Sequence, residues 1–157
     1  CRLMERGVSF QLPRGVSFTL PLTYTTNDHN SCGIVRYECD AEPEMVFNCH
    51  CRDCQQLAGG PCTTAVLVHE DKLEVQGELT CYTSQGDNGG LVHHYFCPVC
   101  GTPVTVKPEV FAGLMSIKAA SLDDNSWVRP TMDIFTKSKQ PWIELSGETD
   151  KFSEGPA

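Results

Sequence analysis

Asn48-Cys49-His50-Cys51-Arg52-Asp53-Cys54-Gln55-Gln56-Leu57 places three cysteines in six positions, spaced C-x-C-x-x-C. A chain reversal of that kind aims several thiolates at one point, and Zn²⁺ is the ion that most often sits there. A second thiol pair, Cys97-Pro98-Val99-Cys100, runs directly into Gly101. This is the knuckle form, in which Pro and Gly shape a tight turn around a metal. Two clusters of different geometry imply two sites with different tasks.

Around these clusters the chain reads as strands. Gly33–Cys39 alternates apolar and polar residues and is rich in β-branched and aromatic types, the signature of a half-buried strand. Met45-Val46-Phe47 leads into the first cluster as a short strand. Asp53 to Ala58 has the composition of one or two helical turns, stopped by Gly59-Gly60-Pro61. Further strands are expected at Thr63–His69, Lys72–Val75, Leu79–Thr83, Leu91–Phe96, Val104–Val106, Leu114–Ala119 and Thr131–Phe135. Between them, Gln85–Gly90 is a glycine-rich loop and Leu122–Asn125 a turn or a single helical turn. No long amphipathic helical repeat occurs, so the fold class is mainly β, a folded-over sheet of short strands. The polar tail from Gly147 onward is expected to be loosely held. At the other end, Arg6-Gly7-Val8-Ser9-Phe10 recurs as Arg14-Gly15-Val16-Ser17-Phe18. Both copies alternate, which suggests a hairpin around Leu12-Pro13-Arg14 in an extension without chemical importance.

The totals narrow the function classes. A chain of 157 residues suits one domain with a real core. Its net charge of -8 argues against nucleic acid or an anionic membrane as a main partner. No apolar run approaches the roughly 20 residues that span a bilayer. Ten cysteines are many for this length. A disulfide framework would call for a secretory signal and dispersed cysteines; no such signal is read here, and five of the cysteines fall in the two clusters. Metal ligation in a reducing, cytoplasmic setting is therefore expected.

Cys32-Gly33-Ile34-Val35-Arg36-Tyr37-Glu38, Cys49-His50-Cys51-Arg52-Asp53-Cys54 and Phe96-Cys97-Pro98-Val99-Cys100-Gly101-Thr102-Pro103 follow one another in an order that resembles the glutathione-dependent formaldehyde-activating enzyme family. That family includes proteins similar to centromere protein V. Ser121-Leu122-Asp123-Asp124, Ile134-Phe135-Thr136-Lys137-Ser138-Lys139-Gln140-Pro141-Trp142 and Asp150-Lys151-Phe152 extend the match. The resemblance implies a β-tent-like zinc domain over 28–152, leaving 1–27 as an extension and 153–157 as a tail. It implies two zinc ions: a closed structural site that includes Cys32, Cys97 and Cys100, and a reactive site on Cys49, Cys51 and Cys54 with a position open for a substrate thiol or water. The implied activity is that of a carbon–sulfur lyase joining glutathione and formaldehyde as S-(hydroxymethyl)glutathione.

Asn30 stands where the family has the first cysteine of its Cys-x-Cys-Gly motif. His29, Asp28 or water could complete the set around Cys32, Cys97 and Cys100, although a one-residue shift turns His29 to the opposite face. The departure leaves open a family enzyme diverged to another lyase or cyclase substrate, or a non-catalytic zinc-stabilised module. Other conspicuous residues have plainer expectations. His50 points away from the metal, one of His93 and His94 faces inward, and Cys39, Cys62 and Cys81 pack as small hydrophobes. Cys62 is also a minor candidate for a fourth ligand. Trp142 anchors the core, and Arg52 and Lys137 are surface cations that could meet a substrate carboxylate.

Overall fold

The computed structural model describes residues 32–39 and 41–155 in full, and the backbone of 7–11 and 17–21. Two strands of the extension, β1 (Gly7–Gln11) and β2 (Ser17–Pro21), pair antiparallel with Val8 opposite Leu20 and Phe10 opposite Phe18. The expected turn at Leu12-Pro13-Arg14 lies outside the described residues, as do Asp28, His29 and Asn30.

The domain is mainly β. After β3 (Arg36–Cys39) and β4 (Met45–Cys49) comes the one α-helix among the described residues, α1 (Arg52–Ala58). There follow β5 (Thr63–His69), β6 (Leu73–Gln76), β7 (Thr80–Gln85), β8 (Leu91–Phe96), β9 (Pro103–Pro108), β10 (Leu114–Lys118), β11 (Met132–Ile134) and β12 (Asp150–Lys151). An eight-stranded sheet runs in the order β12-β11-β4-β5-β10-β9-β8-β7, and β3 pairs with β6 as a separate ribbon. Most pairings are antiparallel, but β11 lies parallel to both β4 and β12.

Alternation sorts the residues of the sheet onto two faces. Val46, Val66 and Ile117 stand directly opposite one another across β4, β5 and β10. With Val68, and with Val35 and Tyr37 from the ribbon side, they make the apolar core, closed by Leu122 and Trp127. The opposite face has a different character. There Cys49 faces Thr63, and the neighbouring row runs Phe47, Ala65, Lys118. One row further on come Leu67, Ser116, Val106, His94 and Tyr82, each opposite the next. Helix α1 packs on β5, next to Thr63.

Three expectations are corrected. Trp142 is 70% exposed and anchors nothing, while Trp127 is the buried indole. Cys81 is exposed at the sheet's edge strand β7 instead of packed. The C-terminal segment is tied down: β12 joins the sheet, and Glu154 and Phe152 carbonyls accept from the Phe135 and Thr136 amides at 3.1 and 3.0 Å. Its polar side chains hid a backbone pairing, which alternation of apolar residues cannot reveal in a strand of two residues. No helix among the described residues is long and apolar enough to cross a membrane.

Candidate metal centre

Strand β4 delivers Cys49 to the end of the sheet, and the chain then turns into α1. Cys51 is the helix N-cap, in extended conformation, and its Sγ accepts from the Cys54 amide at 3.4 Å. A sulfur in this role replaces the usual Ser or Asp oxygen, and the capping geometry brings Cys51 and Cys54 together. The helix ends after two turns because Gly59 takes the left-handed conformation, φ +62°. The Sγ atoms of Cys49, Cys51 and Cys54 all lie within 4.8 Å of one another.

The second group forms at the knuckle. Gly101, at φ +73°, lets its amide reach back to the Cys97 carbonyl at 2.9 Å. Cys97 is fully buried and its Sγ stands 3.5 Å from that of Cys32, across 65 residues of sequence. Cys32, Cys97 and Cys100 again place their sulfurs within 4.8 Å of one another. The six cysteines thus form two groups of three.

The electrostatics of the first group fit a cation. Three thiols this close cannot all ionise in isolation. Hydrogen bonding to Cys51 and Cys54, with burial, pushes the Cys49 thiol far up. Cys51 is also raised: its contact with Cys49 favours the thiolate, but Cys54 and burial outweigh it. Cys54 collects the one negative charge, held at about 3 by hydrogen bonds from Cys49 and Cys51, with Lys118 and Thr63 assisting. A divalent cation is what would allow all three to be thiolates. Three thiolates about 2.3 Å from a tetrahedral Zn²⁺ stand roughly 3.8 Å apart, a spacing within reach of the sulfurs seen. At the knuckle, Cys100 is lowered to about 7, chiefly by the Thr102 hydroxyl 3.1 Å away. Cys32 is raised: the Ile34 amide favours its thiolate, but burial and the sulfurs of Cys100 and Cys97 prevail. Both cysteine clusters can hold a metal ion.

A buried polar lattice fixes the first cluster from behind. His50 is 1% exposed and its Nε2 lies 2.7 Å from Asp133 Oδ1. Asp133 accepts as well from Asn48 Nδ2 at 3.2 Å and from the Thr149 hydroxyl. Desolvation alone would raise this carboxyl, but these donors hold it below the ordinary carboxylate value. Gln55 Nε2 donates to the His50 carbonyl at 2.7 Å and to the Ser138 carbonyl at 2.9 Å, while its Oε1 accepts from Gln140 Nε2 at 2.6 Å. The cysteine loop is thereby bolted to β11 and to the segment after it. His50 is not a member of the cysteine group, and its Nε2 is engaged by Asp133. Asp133 and Gln55 were not foreseen, since their partners are distant in sequence.

On the sheet face of Cys49 stand two further groups. His94 is buried, with Nε2 3.0 Å from Ser84 Oγ and its ring stacked on Tyr82. Lys118 is 8% exposed. It lines a cleft of ≈ 600 Å³ together with Leu57, Cys62, Thr63, Ser121 and Asn125. Cys62 therefore borders the cleft and joins neither cysteine group. Of the foreseen cations, Lys137 pairs with Glu154 at 3.1 Å on the surface, and Arg52 donates to Gln55 Oε1 at 3.3 Å. Lys118 escaped notice because alternation assigns a residue to a face without saying whether that face is covered.

The sequence profile of the glutathione-dependent formaldehyde-activating enzymes matches residues 25–138. The chain belongs to this family. The match takes in both cysteine clusters, α1 and the sheet from β3 to β11. Comparison with curated proteins gives no match. Among solved structures, a Rhodobacter sphaeroides protein from a structural-genomics programme aligns with 59% of this chain and 83% of its own. Its identity is 23% and the TM-score 0.46.

Proposed function

We propose that this family member is a zinc-dependent carbon–sulfur lyase that joins glutathione to formaldehyde, giving S-(hydroxymethyl)glutathione, and catalyses the reverse cleavage. The observation that carries the reading is the convergence of Cys49, Cys51 and Cys54 at the start of α1, with Cys49 opposite Thr63, a residue that lines a cleft of ≈ 600 Å³. Structural zinc sites are closed by four ligands, whereas reactive ones keep a position open. Zinc bound there would favour the thiolate form of an incoming thiol, the species that attacks an electrophilic carbon.

The chain's own residues do the rest. Cys49, Cys51 and Cys54 would hold the ion, and the His50–Asp133 and Gln55 contacts would keep their loop in one geometry. Cys32, Cys97 and Cys100 would hold a second, structural zinc. Glutathione as the small-molecule partner rests on the family to which the chain belongs, and a cytoplasmic location goes with the same reading.

Replacing Cys54 with Ser is expected to abolish glutathione-dependent formaldehyde consumption and to remove one zinc per chain. The far-UV circular dichroism should stay unchanged. Full activity in Cys54→Ser would overturn the assignment.

A further inference from the structure

Lys118 is the one buried lysine or arginine among the described residues, and its charge helps to favour the Cys54 thiolate. The other described lysines and arginines are exposed or half-buried, and Lys107, the half-buried one nearest it in sequence, pairs with Glu70 at 2.6 Å. No hydrogen bond or ion pair joins the Lys118 ammonium to any described side chain, the cysteine sulfurs included. The residue is 8% exposed and lines the cleft, so its ammonium is open to that space alone. A cation placed on the wall of a cleft can meet an anion that arrives from outside, as the few polar groups of binding sites do.

Its place in the sheet says where that partner would sit. Lys118 lies on the Cys49 face, one row of side chains from the Cys49–Thr63 pair. It lines the ≈ 600 Å³ cleft together with Cys62, Thr63, Ser121 and Asn125. A cleft of that size lies within the range of roughly 300–1,000 Å³ that small-molecule sites occupy. The cleft's other walls are mainly apolar or neutral, including Leu57, Ala58, Pro103 and Val128. Glutathione is an anion with a carboxylate at each end of a flexible tripeptide and the thiol between them. A protein of net charge -8 repels such a molecule at long range, so a local cation is needed to seat it.

We infer that Lys118 binds a carboxylate of the thiol substrate, the cleft taking the peptide and the thiol pointing to the cysteine cluster. This rests on the glutathione dependence proposed above. A thiol with no carboxylate would be seated poorly, so the site would select acidic peptide thiols over simple ones.

Calorimetric titration of the zinc-loaded protein, without formaldehyde, tests the assignment with three pairs. Glutathione against the wild type should bind, and its diethyl ester should bind on the order of tenfold more weakly, the worth of a charge-assisted hydrogen bond. Lys118→Met should lose about the same factor for glutathione and be indifferent to esterification. Lys118→Arg should retain most of the preference. Zinc content is measured on each protein. Equal binding of acid and ester by the wild type overturns the inference and needs no variant to fold. Loss of zinc from Lys118→Met along with loss of affinity also overturns it, because the lysine would then serve the thiolates. Absence of any glutathione binding by the wild type would instead strike at the proposed function itself.

Discussion

His94 shows what a covered sheet face does to a single side chain. Burial is the main cause that lowers its pKa from the ordinary 6.5, and the Lys118 charge adds to it, while Asp53 and Cys51 pull the other way. Below about pH 6.5 the unfolded chain takes up a proton that the folded protein refuses, so stability rises with pH through this window and is lost as pH falls. The melting temperature should therefore drop as pH is lowered from about 7.5 to 5.5, and the drop should be shallower in His94→Gln. Identical pH slopes for the two proteins would show that the ring titrates alike in both states. The inward position of one histidine of His93-His94 was legible from alternation. That the inward one sits among Tyr82, Ser84 and a lysine was not, because those neighbours come from other strands. The same holds for Asp133, whose three donors come from β4, the loop after it and the stretch before β12.

At the scale of elements, local signals served well where they were strong. The β5 and β8 ranges agree with the runs of β-branched and aromatic residues, and α1 stops at the Gly-Gly-Pro signal. Where pairing is set by a distant strand, the signal fails. Nothing in Met132–Ile134 or Asp150–Lys151 announces parallel partners. Turn glycines carry their own information, and Gly77 is the sharpest case. It follows β6 at φ +101°, and a Cβ built on it would lie 2.7 Å from the Ile34 carbonyl oxygen and 3.2 Å from Val35 Cα. Both obstacles are backbone, held by the pairing of Arg36 with Gln76. Gly77→Ala should cost about 2–4 kcal/mol, read as a fall in urea midpoint at unchanged slope. Gly59→Ala is the control: φ is +62° but nothing lies within 4 Å of the new methyl, so about 1 kcal/mol is expected. Equal effects at the two sites would mean that the close approach to Ile34 relaxes freely.

At the scale of the molecule, the two cysteine groups differ in what they hold together. Cys97 belongs to the apolar core, and Cys32 and Cys100 pack against it. A metal there would cross-link positions 65 residues apart. Treated as a chain cross-link, a loop of that length stabilises the fold by about 4 kcal/mol, or roughly 8–16 °C in melting temperature for a domain of this size. Cys49, Cys51 and Cys54 are close in sequence, so their metal closes almost no loop, and the Asp133 and Gln55 contacts hold their segment without it. Elemental analysis should accordingly find two zincs per chain. A mild chelator should remove one, abolishing activity with little change in melting temperature. Stronger chelation should remove the second and lower the melting temperature by that larger amount. A single zinc, with a melting temperature indifferent to chelation, would mean that the site around Cys32 is left unfilled where Asn30 replaces the family's cysteine. The fold would then stand on its core alone, and a chemistry diverged from formaldehyde activation would become the better reading of the remaining centre.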